Sequence, residues 1–392
     1  MHYDDIVIGL GAMGSSTVYQ LTKRGRKTLG IDEREVGQKH LPGERGARVT
    51  RTAIGDDGVH TPFARRSDEL LDELERASSV RLRMKTGGLL VRKPDSEASE
   101  LVSKPFEREA ASARSYGVGY EWLEAKDIRR RFSPLRVRFG EIGYYEPESG
   151  YVKPGHCVSI QLGLAGLSGA EIRRGERALS FHACSDGVSV ETNRGTYRAE
   201  RLIVCVGAWA SDLLGEAFAE RSSLRHETVY CFEVADERPF LPKNFPVFTW
   251  GQQNSHKEIH GFPAVDGFEG GVKIATERNV KAGISVKSER VVSPEEAAAM
   301  HESCIAPRMR GVTSRILKAW TRTCAVPNNA GFTVDRHPES AAITVVSACT
   351  GFGSKYAPAV GEAIAQTLVD GRSALDLTAF RSDRSRDSMA IA

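Results

Sequence analysis

Apolar and polar positions alternate along the first thirty residues in a strand–helix–strand pattern. The apolar run Ile6–Ile8 stops at Gly9, as a buried strand that enters a tight turn would. A helical pattern follows from Ala12 to Arg24, and Gly25 is placed to end it in a left-handed conformation. A second apolar run, Thr28–Ile31, predicts the next strand. These residues therefore predict a compact βαβ unit.

Similar patterns return in two later parts of the chain. The stretch "GVSVETNRGTYRAERLIVCVGAWASDLL" predicts two strands joined at Asn193–Gly195, and then a separate buried strand, Leu202–Val206, ended by Gly207. Near the C-terminus, "ITVVSACTGFGSKYAPAVGEAIAQTLVDG" predicts a buried strand, a glycine-rich turn and a helix. That helix has Pro358 in its first turn and Gly371 as its stop. We expect these segments to join the N-terminal unit in one domain.

The intervening segments predict a second domain. Residues 81–150 mix short strands with a helix at "FEREAASARSYG", and residues 223–325 contain the strand patterns "HETVYCFEVA", "FPVFTWG", "KEIHGFPAV" and "GGVKIATE". The predicted fold class is α/β, with a Rossmann-like domain over 1–80, 151–222 and 326–386. The second, α+β domain covers 81–150 and 223–325 and is built on a mixed or antiparallel sheet.

Composition narrows the classes of function. A chain of 392 residues exceeds the size of one hydrophobic core, which supports two domains. Its 40% hydrophobic and 27% charged residues are typical of a globular protein. The net charge of +3 is too small to indicate a nucleic-acid partner, and it is compatible with small anionic substrates. The basic run "RRRFSPLRVRF" is interpreted as a solvated helix end and loop.

Cysteine spacing and the terminal sequence bear on metal content and location. The seven cysteines are scattered without CxxC pairs, which argues against a disulfide framework and a zinc site, so no metal is expected. His301 and Cys304 in "HESC" are interpreted as structural. The acidic start "MHYDD" lacks a secretory signal, and no apolar run is long enough to span a membrane. These features predict a cytoplasmic protein without a membrane or nucleic-acid partner, as a monomer or small homo-oligomer.

The motif "GLGAMG" has the glycine spacing of a dinucleotide-binding turn. Gly9 would make the turn, Gly11 would let a pyrophosphate approach the backbone, and Gly14 would let helix and strand pack closely. Ala12 and Met13 occupy the first helical turn, whose free N–H groups and dipole favour an anion. The segment predicts a bound dinucleotide.

The identity of that dinucleotide follows from the surrounding pattern. Asp32 lies 21 residues after Gly11, where its carboxylate can bind a ribose diol, and the acidic pair Asp32–Glu33 disfavours the 2′-phosphate of NADP. The break in the βα pattern after Asp32 is unlike a nicotinamide domain. The second glycine-rich helix start, at Gly351 and Gly353, suits the pyrimidine edge of a flavin. We therefore predict FAD.

Several motifs together resemble one enzyme family. These are "GARVTRTAIGDDG", "YYEPESGYVKP", "LIVCVGAWASDLL", "GFPAVDGFEGGVKIA", "GFTVDRHPE" and "GFGSKYAPAVGE", in addition to the glycine motif. Nearly the whole chain is similar to the FAD-dependent amine oxidases of the monomeric sarcosine oxidase type, which include N-methyltryptophan oxidase and pipecolate oxidase. The resemblance implies an FAD-binding domain of the glutathione-reductase type.

The resemblance also implies roles for individual residues. Arg51 and Lys355 match the two cations that hold the substrate carboxylate beside the flavin, so both are candidates for substrate binding and for cofactor binding. Arg48 matches an arginine beside the flavin. Lys273 matches the lysine over the flavin face that promotes electron transfer to oxygen. The motif "LIVCVGAWASDLL" adds two cofactor-binding candidates, Gly207 and Trp209.

The attachment of the flavin departs from the family pattern. Family members carry a cysteine that bonds covalently to the flavin ring, and an ungapped count from Phe332 places Arg322 at that position. A two-residue deletion in the following turn would place Cys324 there instead. Both residues remain cofactor-binding candidates. The ungapped count slightly favours non-covalent FAD.

The amine side of the substrate pocket also departs from the family. His260 replaces a tyrosine before "GFP", and Glu277 replaces a histidine four residues after Lys273. Either residue is a candidate to orient the amine or to accept its proton. The predicted reaction is oxidation of a carboxylate-bearing secondary or cyclic amine to an imine, with O₂ reduced to H₂O₂. The alternatives are a flavin dehydrogenase or tailoring enzyme that desaturates a cyclic amine, and a non-catalytic flavin-binding protein.

Overall fold

The computed structural model describes the greater part of the chain. The described residues are 2–35, 46–54, 58–93, 106–205, 207, 213–214, 222–251, 258–279, 291–327, 332–347 and 353–381. The side chains of 222–226, 268, 277–279 and 322–327 lie outside this description.

Helices and strands alternate in the N-terminal part, and strands dominate after residue 170. The described helices are α1 Ala12–Lys23, α2 Thr61–Ser78, α3 Glu107–Tyr116, α4 Ala125–Arg131, α5 Pro154–Leu167, α6 Pro294–Met300 and α7 Ala357–Val369. The described strands are β1 His2–Ile8, β2 Thr28–Asp32, β3 Arg48–Thr50, β4 Arg83–Lys85, β5 Gly88–Arg92, β6 Glu121–Glu124, β7 Ile142–Glu146, β8 Gly150–Val152, β9 Glu171–Arg174, β10 Ala178–Cys184, β11 Gly187–Thr192, β12 Gly195–Val204, β13 Ser222–Val234, β14 Val247–Gly251, β15 Glu258–Phe262, β16 Val272–Asn279, β17 Val312–Pro327, β18 Thr333–His337 and β19 Ser340–Ser347.

The first sheet joins the two ends and the middle of the chain. Its strands run in the order β10-β11-β12-β1-β2-β9, and β19 also pairs with β12 and β18. The pairs of β1 with β2, β1 with β12, β2 with β9 and β12 with β19 are all parallel. Val7 packs against the helices on one face, whereas Ile6 and Ile8 pack on the other, which explains the uninterrupted apolar run. The predicted Rossmann-like arrangement is therefore present.

One predicted strand boundary in this sheet is wrong. The second hairpin strand and the buried strand Leu202–Val206 form a single strand, β12, which ends at Val204. Its first half pairs antiparallel with β11, and its second half pairs parallel with β19. Because β1 pairs with β12 continuously from Arg198 to Val204, the strand has no break where the sequence changes from polar to apolar.

Helix α7 brings the C-terminal segment onto the glycine motif. It packs against α1 so closely that a Cβ on Gly361 would lie 2.3 Å from Ser16 Oγ. Ser16 donates a hydrogen bond to the carbonyl of Pro358 at 3.2 Å. Arg66 of α2 forms a forked ion pair with Glu362 of α7, at 2.7 and 2.8 Å. These contacts fix α7, the helix that follows the second glycine-rich segment, beside α1 of the first.

The second sheet is mixed, as predicted. Its order is β17-β13-β16-β15-β14-β5-β7-β6, with a parallel pair between β14 and β5 and antiparallel pairs elsewhere. A third, small antiparallel sheet has the strand order β3-β8-β4. Its strand β3 contains residues of the "ARVTRTA" segment. The predicted domain boundaries stay a prediction.

The basic run "RRRFSPLRVRF" forms the end of α4 and the loop that follows. Arg129 donates to the carbonyl of Val137 at 2.6 Å, and Arg131 lies 4.1 Å above the ring of Tyr145. These guanidinium groups hold the local fold together, in agreement with the predicted helix end and loop.

Candidate active site

The glycine turn adopts the geometry that its sequence predicts. Gly9 has a φ of +87°, which L-residues with a Cβ rarely adopt. A Cβ on Gly14 would lie 1.8 Å from the carbonyl oxygen of Gly9, so helix and strand pack as closely as expected. A Cβ on Gly11 would meet no atom of the described residues within 4 Å. These residues therefore leave open space at the position where a phosphate is expected.

The first turn of α1 carries no competing anion. Gly11 is the N-cap and supplies no side-chain hydrogen bond, and no acidic residue lies in the first turn, which contains Ala12 and Met13. Unpaired N–H groups at a helix N-terminus favour a bound anion. This end of α1 can hold a pyrophosphate.

Asp32 lies at the end of β2 and contacts the glycine turn directly. Its Oδ2 atom accepts the Leu10 N–H at 2.7 Å. The Arg34 guanidinium also donates to both carboxylate oxygens, at 2.9 and 2.7 Å, and a ribose diol would share the carboxylate with it. The sequence reasoning missed Arg34, although its position two residues after the acid was a signal. Glu33 is exposed, and its carboxylate lies 3.8 Å from Nε of Arg177.

Arg48 and Lys273 meet at one carbonyl group. Arg48 is 5% exposed and donates to the carbonyl of Ala47 at 2.9 Å, and Lys273 Nζ donates to the same oxygen at 2.6 Å. Lys273 is 4% exposed and lies 4.1 Å above the ring of Phe262, its partner on the neighbouring strand. Burial lowers the pKa of Lys273 to about 8, so the ammonium is still charged at neutral pH.

Arg51 follows β3 and borders a cavity of about 90 Å³. Glu109, Thr249 and Glu258 also line this cavity. The Nε atom of Arg51 is buried and has no hydrogen-bond partner within the described part of the chain. A buried guanidinium N–H without a partner is costly, and a bound anion would satisfy it.

Lys355 approaches the same segment from the C-terminal end of the chain. It belongs to a 3₁₀ turn, Gly353–Lys355, that contacts β3, and it is 7% exposed. Its ammonium lies 4.9 Å from the ring centroid of Tyr356. The segments that carry Arg48 and Lys355, about 300 residues apart in the chain, therefore come into contact.

His260 lies on the strand next to Lys273. Its Nδ1 atom is 3.1 Å from Thr249 Oγ1, and the ring is 7% exposed. His260 pairs with Ala275 in the register, two positions from the Phe262–Lys273 pair. Because alternate residues of a strand share a face, His260 and Lys273 lie on the same side of the sheet.

Some predicted site residues lie partly or wholly outside the description. Trp209 and Gly351 lie outside the described residues, whereas Gly207 is described at the end of the first sheet with a φ of +59°. The side chains of Glu277, Arg322 and Cys324 are not described, and only their backbone positions are. Glu277 and Arg322 both pair with Glu227 of β13, and Cys324 pairs with Arg225.

The described residues also bear on metals, cysteines and membranes. Within them, no group of three or more His, Cys, Asp or Glu side chains could hold a metal ion. His301 bonds to the carbonyl of Val312, consistent with its structural interpretation. The cysteines at 157, 184, 205, 231 and 304 are free thiols. Of the helices described, none is long and apolar enough to cross a membrane.

The chain is similar in sequence to two kinds of amine oxidase over nearly its whole length. Monomeric sarcosine oxidase of Streptomyces avermitilis is 33% identical over 384 residues, which is 96% of each chain. N-methyl-L-tryptophan oxidase of Escherichia coli is 28% identical over 98% of this chain and the whole of the relative. These matches confirm the resemblance inferred from the motifs.

Solved structures show the same fold. The amino acid oxidase NikD superimposes with a TM-score of 0.79 at 22% identity, over 97% of both chains. L-proline dehydrogenase from P. horikoshii superimposes with a TM-score of 0.78 at 18% identity, over 97% of this chain and 96% of that protein. The predicted fold class is therefore confirmed. The model of the family described as DAO, FAD dependent oxidoreductase, matches residues 4–367, and the chain belongs to this family of FAD-dependent oxidoreductases.

Proposed function

We propose that this protein oxidises the C–N bond of an amino acid with a secondary or cyclic amine to an imine, and reduces O₂ to H₂O₂. The observation that carries the proposal is the arrangement of residues 47–51. The carbonyl of Ala47 binds Lys273 and Arg48, and Arg51 borders a cavity three residues beyond Arg48. One short segment thus joins a buried ammonium suited to oxygen chemistry to a guanidinium suited to a carboxylate.

The residues present fit FAD. The open space at Gly11 and the uncapped start of α1 suit its pyrophosphate, and Asp32 lies where the adenosine ribose is expected. Arg48 is a buried cation that can lie beside the flavin ring. When bound, FAD accepts two electrons from the amine carbon and passes them to O₂.

Arg51 and Lys355 orient the substrate. The unpaired Nε of Arg51 provides a donor for a carboxylate. The buried ammonium of Lys355, in the turn that contacts β3, adds a second positive charge. Holding the carboxylate also fixes the position of the adjacent C–H bond. This orientation lowers the activation barrier of the reaction in addition to increasing the affinity for the substrate. Nearby cations also disfavour an ammonium substrate, so they favour the neutral amine that reacts.

Lys273 and His260 serve the remaining steps. The Lys273 ammonium is held by Ala47 in a buried position, where it can stabilise negative charge that develops on oxygen. His260, held by Thr249, is the described candidate to orient the amine or accept its proton. Glu277 remains a proposal for the same role.

The test uses the purified holoenzyme and a panel of N-methyl, cyclic and primary amino acids. We expect anaerobic bleaching of the oxidised-flavin absorbance with N-methyl or cyclic members, followed by one H₂O₂ per flavin when O₂ is admitted. Bleaching without peroxide would indicate a dehydrogenase. No bleaching by any amine would favour a non-catalytic flavin protein and contradict the proposal.

We also propose that FAD is bound without a covalent bond. The ungapped count places Arg322 at the family's cysteine position, and an arginine cannot form a thioether. Acid precipitation should therefore leave the yellow colour in the supernatant. A yellow pellet that becomes colourless in Cys324→Ser would contradict this proposal. Oligomeric state and cytoplasmic location stay predictions.

A further inference from the structure

Glu146 ends β7 in the "YYEPESG" motif and is 1% exposed. A fully buried carboxylate is rare unless it is well paired, because removing it from water is costly. The motif is one of those that carry the family resemblance, but the resemblance assigns no role to this acid. Its partners show what it holds.

Four groups donate hydrogen bonds to this carboxylate. The backbone N–H groups of Thr52 and Ala53 donate at 3.0 and 3.3 Å. The hydroxyls of Tyr144 and Ser149 donate at 3.1 and 2.7 Å. Each oxygen therefore accepts one backbone and one side-chain donor, which is the pattern of an ionised carboxylate.

Two of these donors follow Arg51 directly in the chain. Rotating the backbone at Arg51 would pull the Thr52 and Ala53 N–H groups away from the buried carboxylate and leave it short of donors. Leaving a buried carboxylate without its donors costs more free energy than losing a hydrogen bond that is exposed to solvent. The Thr52 hydroxyl also donates to Asp68 at 3.1 Å, and Asp68 pairs with Arg83 at 3.2 Å. The residue after Arg51 is thus held from two sides.

The charges of Glu146 and Arg51 also act on one side chain. Burial and the Glu146 carboxylate raise the pKa of Tyr144, whereas Arg51 opposes the shift. Tyr144 therefore lies within the electrostatic range of both groups.

We propose that Glu146 is a positioning residue that fixes the backbone after Arg51, so that the guanidinium is aimed at the substrate carboxylate. The inference rests on the proposed function, because it assumes that Arg51 binds this carboxylate. It assigns Glu146 no contact with the substrate. It predicts that loss of Glu146 weakens carboxylate recognition specifically.

The test compares holoenzyme variants by the flavin absorbance change on titration with acetate and with a substrate amino acid. Glu146→Gln keeps the size of the side chain, but its amide nitrogen cannot accept, so at least one backbone donor loses its partner. We expect the Kd for acetate and the KM for the amino acid to rise about tenfold. The corresponding amine without a carboxylate should be oxidised with unchanged kinetics. A structural defect would alter both substrates.

Glu148→Gln is the matched control. This neighbouring acid is exposed and pairs with Lys85 at 2.5 Å, so the same substitution should change neither Kd nor KM. Tyr144→Phe removes one donor and keeps the charge, and it should raise both values by less than Glu146→Gln. It also serves as the test variant if Glu146→Gln does not fold.

The outcomes separate the two proposals. If Arg51→Ala weakens acetate binding but Glu146→Gln and Tyr144→Phe do not, the positioning role is wrong and the proposed function stands. If Arg51→Ala leaves acetate binding unchanged, the carboxylate site itself is wrong. Equal losses with the carboxylate substrate and with the amine lacking it would also overturn the positioning role.

Discussion

The cofactor end and the substrate face of this protein are built in different ways. The cofactor end is dominated by one continuous segment, residues 2–32, in which the critical contacts are between backbone atoms, such as that of Gly14 with the Gly9 carbonyl. The proposed substrate face draws on Arg51, His260, Lys273 and Lys355, which come from distant segments. Three of them are buried, and Arg51 is partly buried.

This difference predicts how each region fails. A backbone contact tolerates no added atom, so a small substitution in the glycine turn should disrupt folding or cofactor binding. A buried charge acts on a particular chemical step, so its removal should leave the fold intact and slow only that step.

The largest effect is expected from Gly14→Ala. The added Cβ would lie 1.8 Å from the Gly9 carbonyl oxygen, a distance that requires the backbone to move. We expect loss of soluble, FAD-containing protein. Gly11→Ala is the control, because its Cβ meets no atom within 4 Å in the described part of the chain. That variant should fold with an unchanged apoprotein Tm but bind FAD more weakly. If the two variants lose soluble, FAD-containing protein to the same extent, close backbone packing at Gly14 does not explain the effect.

Lys273→Met should slow reoxidation of the reduced flavin by O₂ by about 10²–10³-fold, the usual cost of losing a buried group that stabilises developing negative charge. Anaerobic reduction should stay within about threefold of the original protein. Stopped-flow absorbance measures both steps. If reduction collapses and reoxidation does not, Lys273 is a substrate-binding residue.

Arg51→Ala should raise the KM for a carboxylate substrate by about 30- to 150-fold. This corresponds to roughly 2–3 kcal/mol for a charge-assisted contact. FAD content should be unchanged, because Arg51 is expected at the substrate rather than at the pyrophosphate. Steady-state kinetics with matched FAD content measure the effect, and an unchanged KM would remove Arg51 from carboxylate binding.

Reoxidation should also depend on pH through Lys273. Burial lowers its pKa from 10.5 to about 8, so the ammonium loses its proton as the pH rises through this value. The rate should therefore fall about tenfold from pH 7 to pH 9. Lys273→Met should show a low and flat profile, whereas a profile in the variant that still falls through pH 8 would assign the titration to another group.

The sequence predicts the cofactor end well because its signals are local. The roles of Gly9 and Gly14, the bounds of α1 to within one residue and the stop at Gly25 all follow from neighbours in the chain. The local pattern did not predict that β12 is one continuous strand, because this continuity depends on pairing with β1, about 195 residues earlier.

The substrate face was predicted through the family resemblance rather than from pattern. Periodicity alone does not reveal that Lys273 shares a carbonyl with Arg48, since the two are 225 residues apart. Glu146 was missed for the same reason, because its donors at Thr52 and Ala53 lie in another segment.

The central claim is that Arg51 and Lys273 serve separate half-reactions although residues 47–51 anchor both. The direct test measures reduction at low substrate concentration and reoxidation by O₂ in Arg51→Ala, Lys273→Met and the double variant. We expect the double variant to match Arg51→Ala in reduction and Lys273→Met in reoxidation, with a coupling energy below about 0.5 kcal/mol in each step. A coupling of roughly 1 kcal/mol or more in either step would mean that the two cations act on the same step, and would contradict the claim.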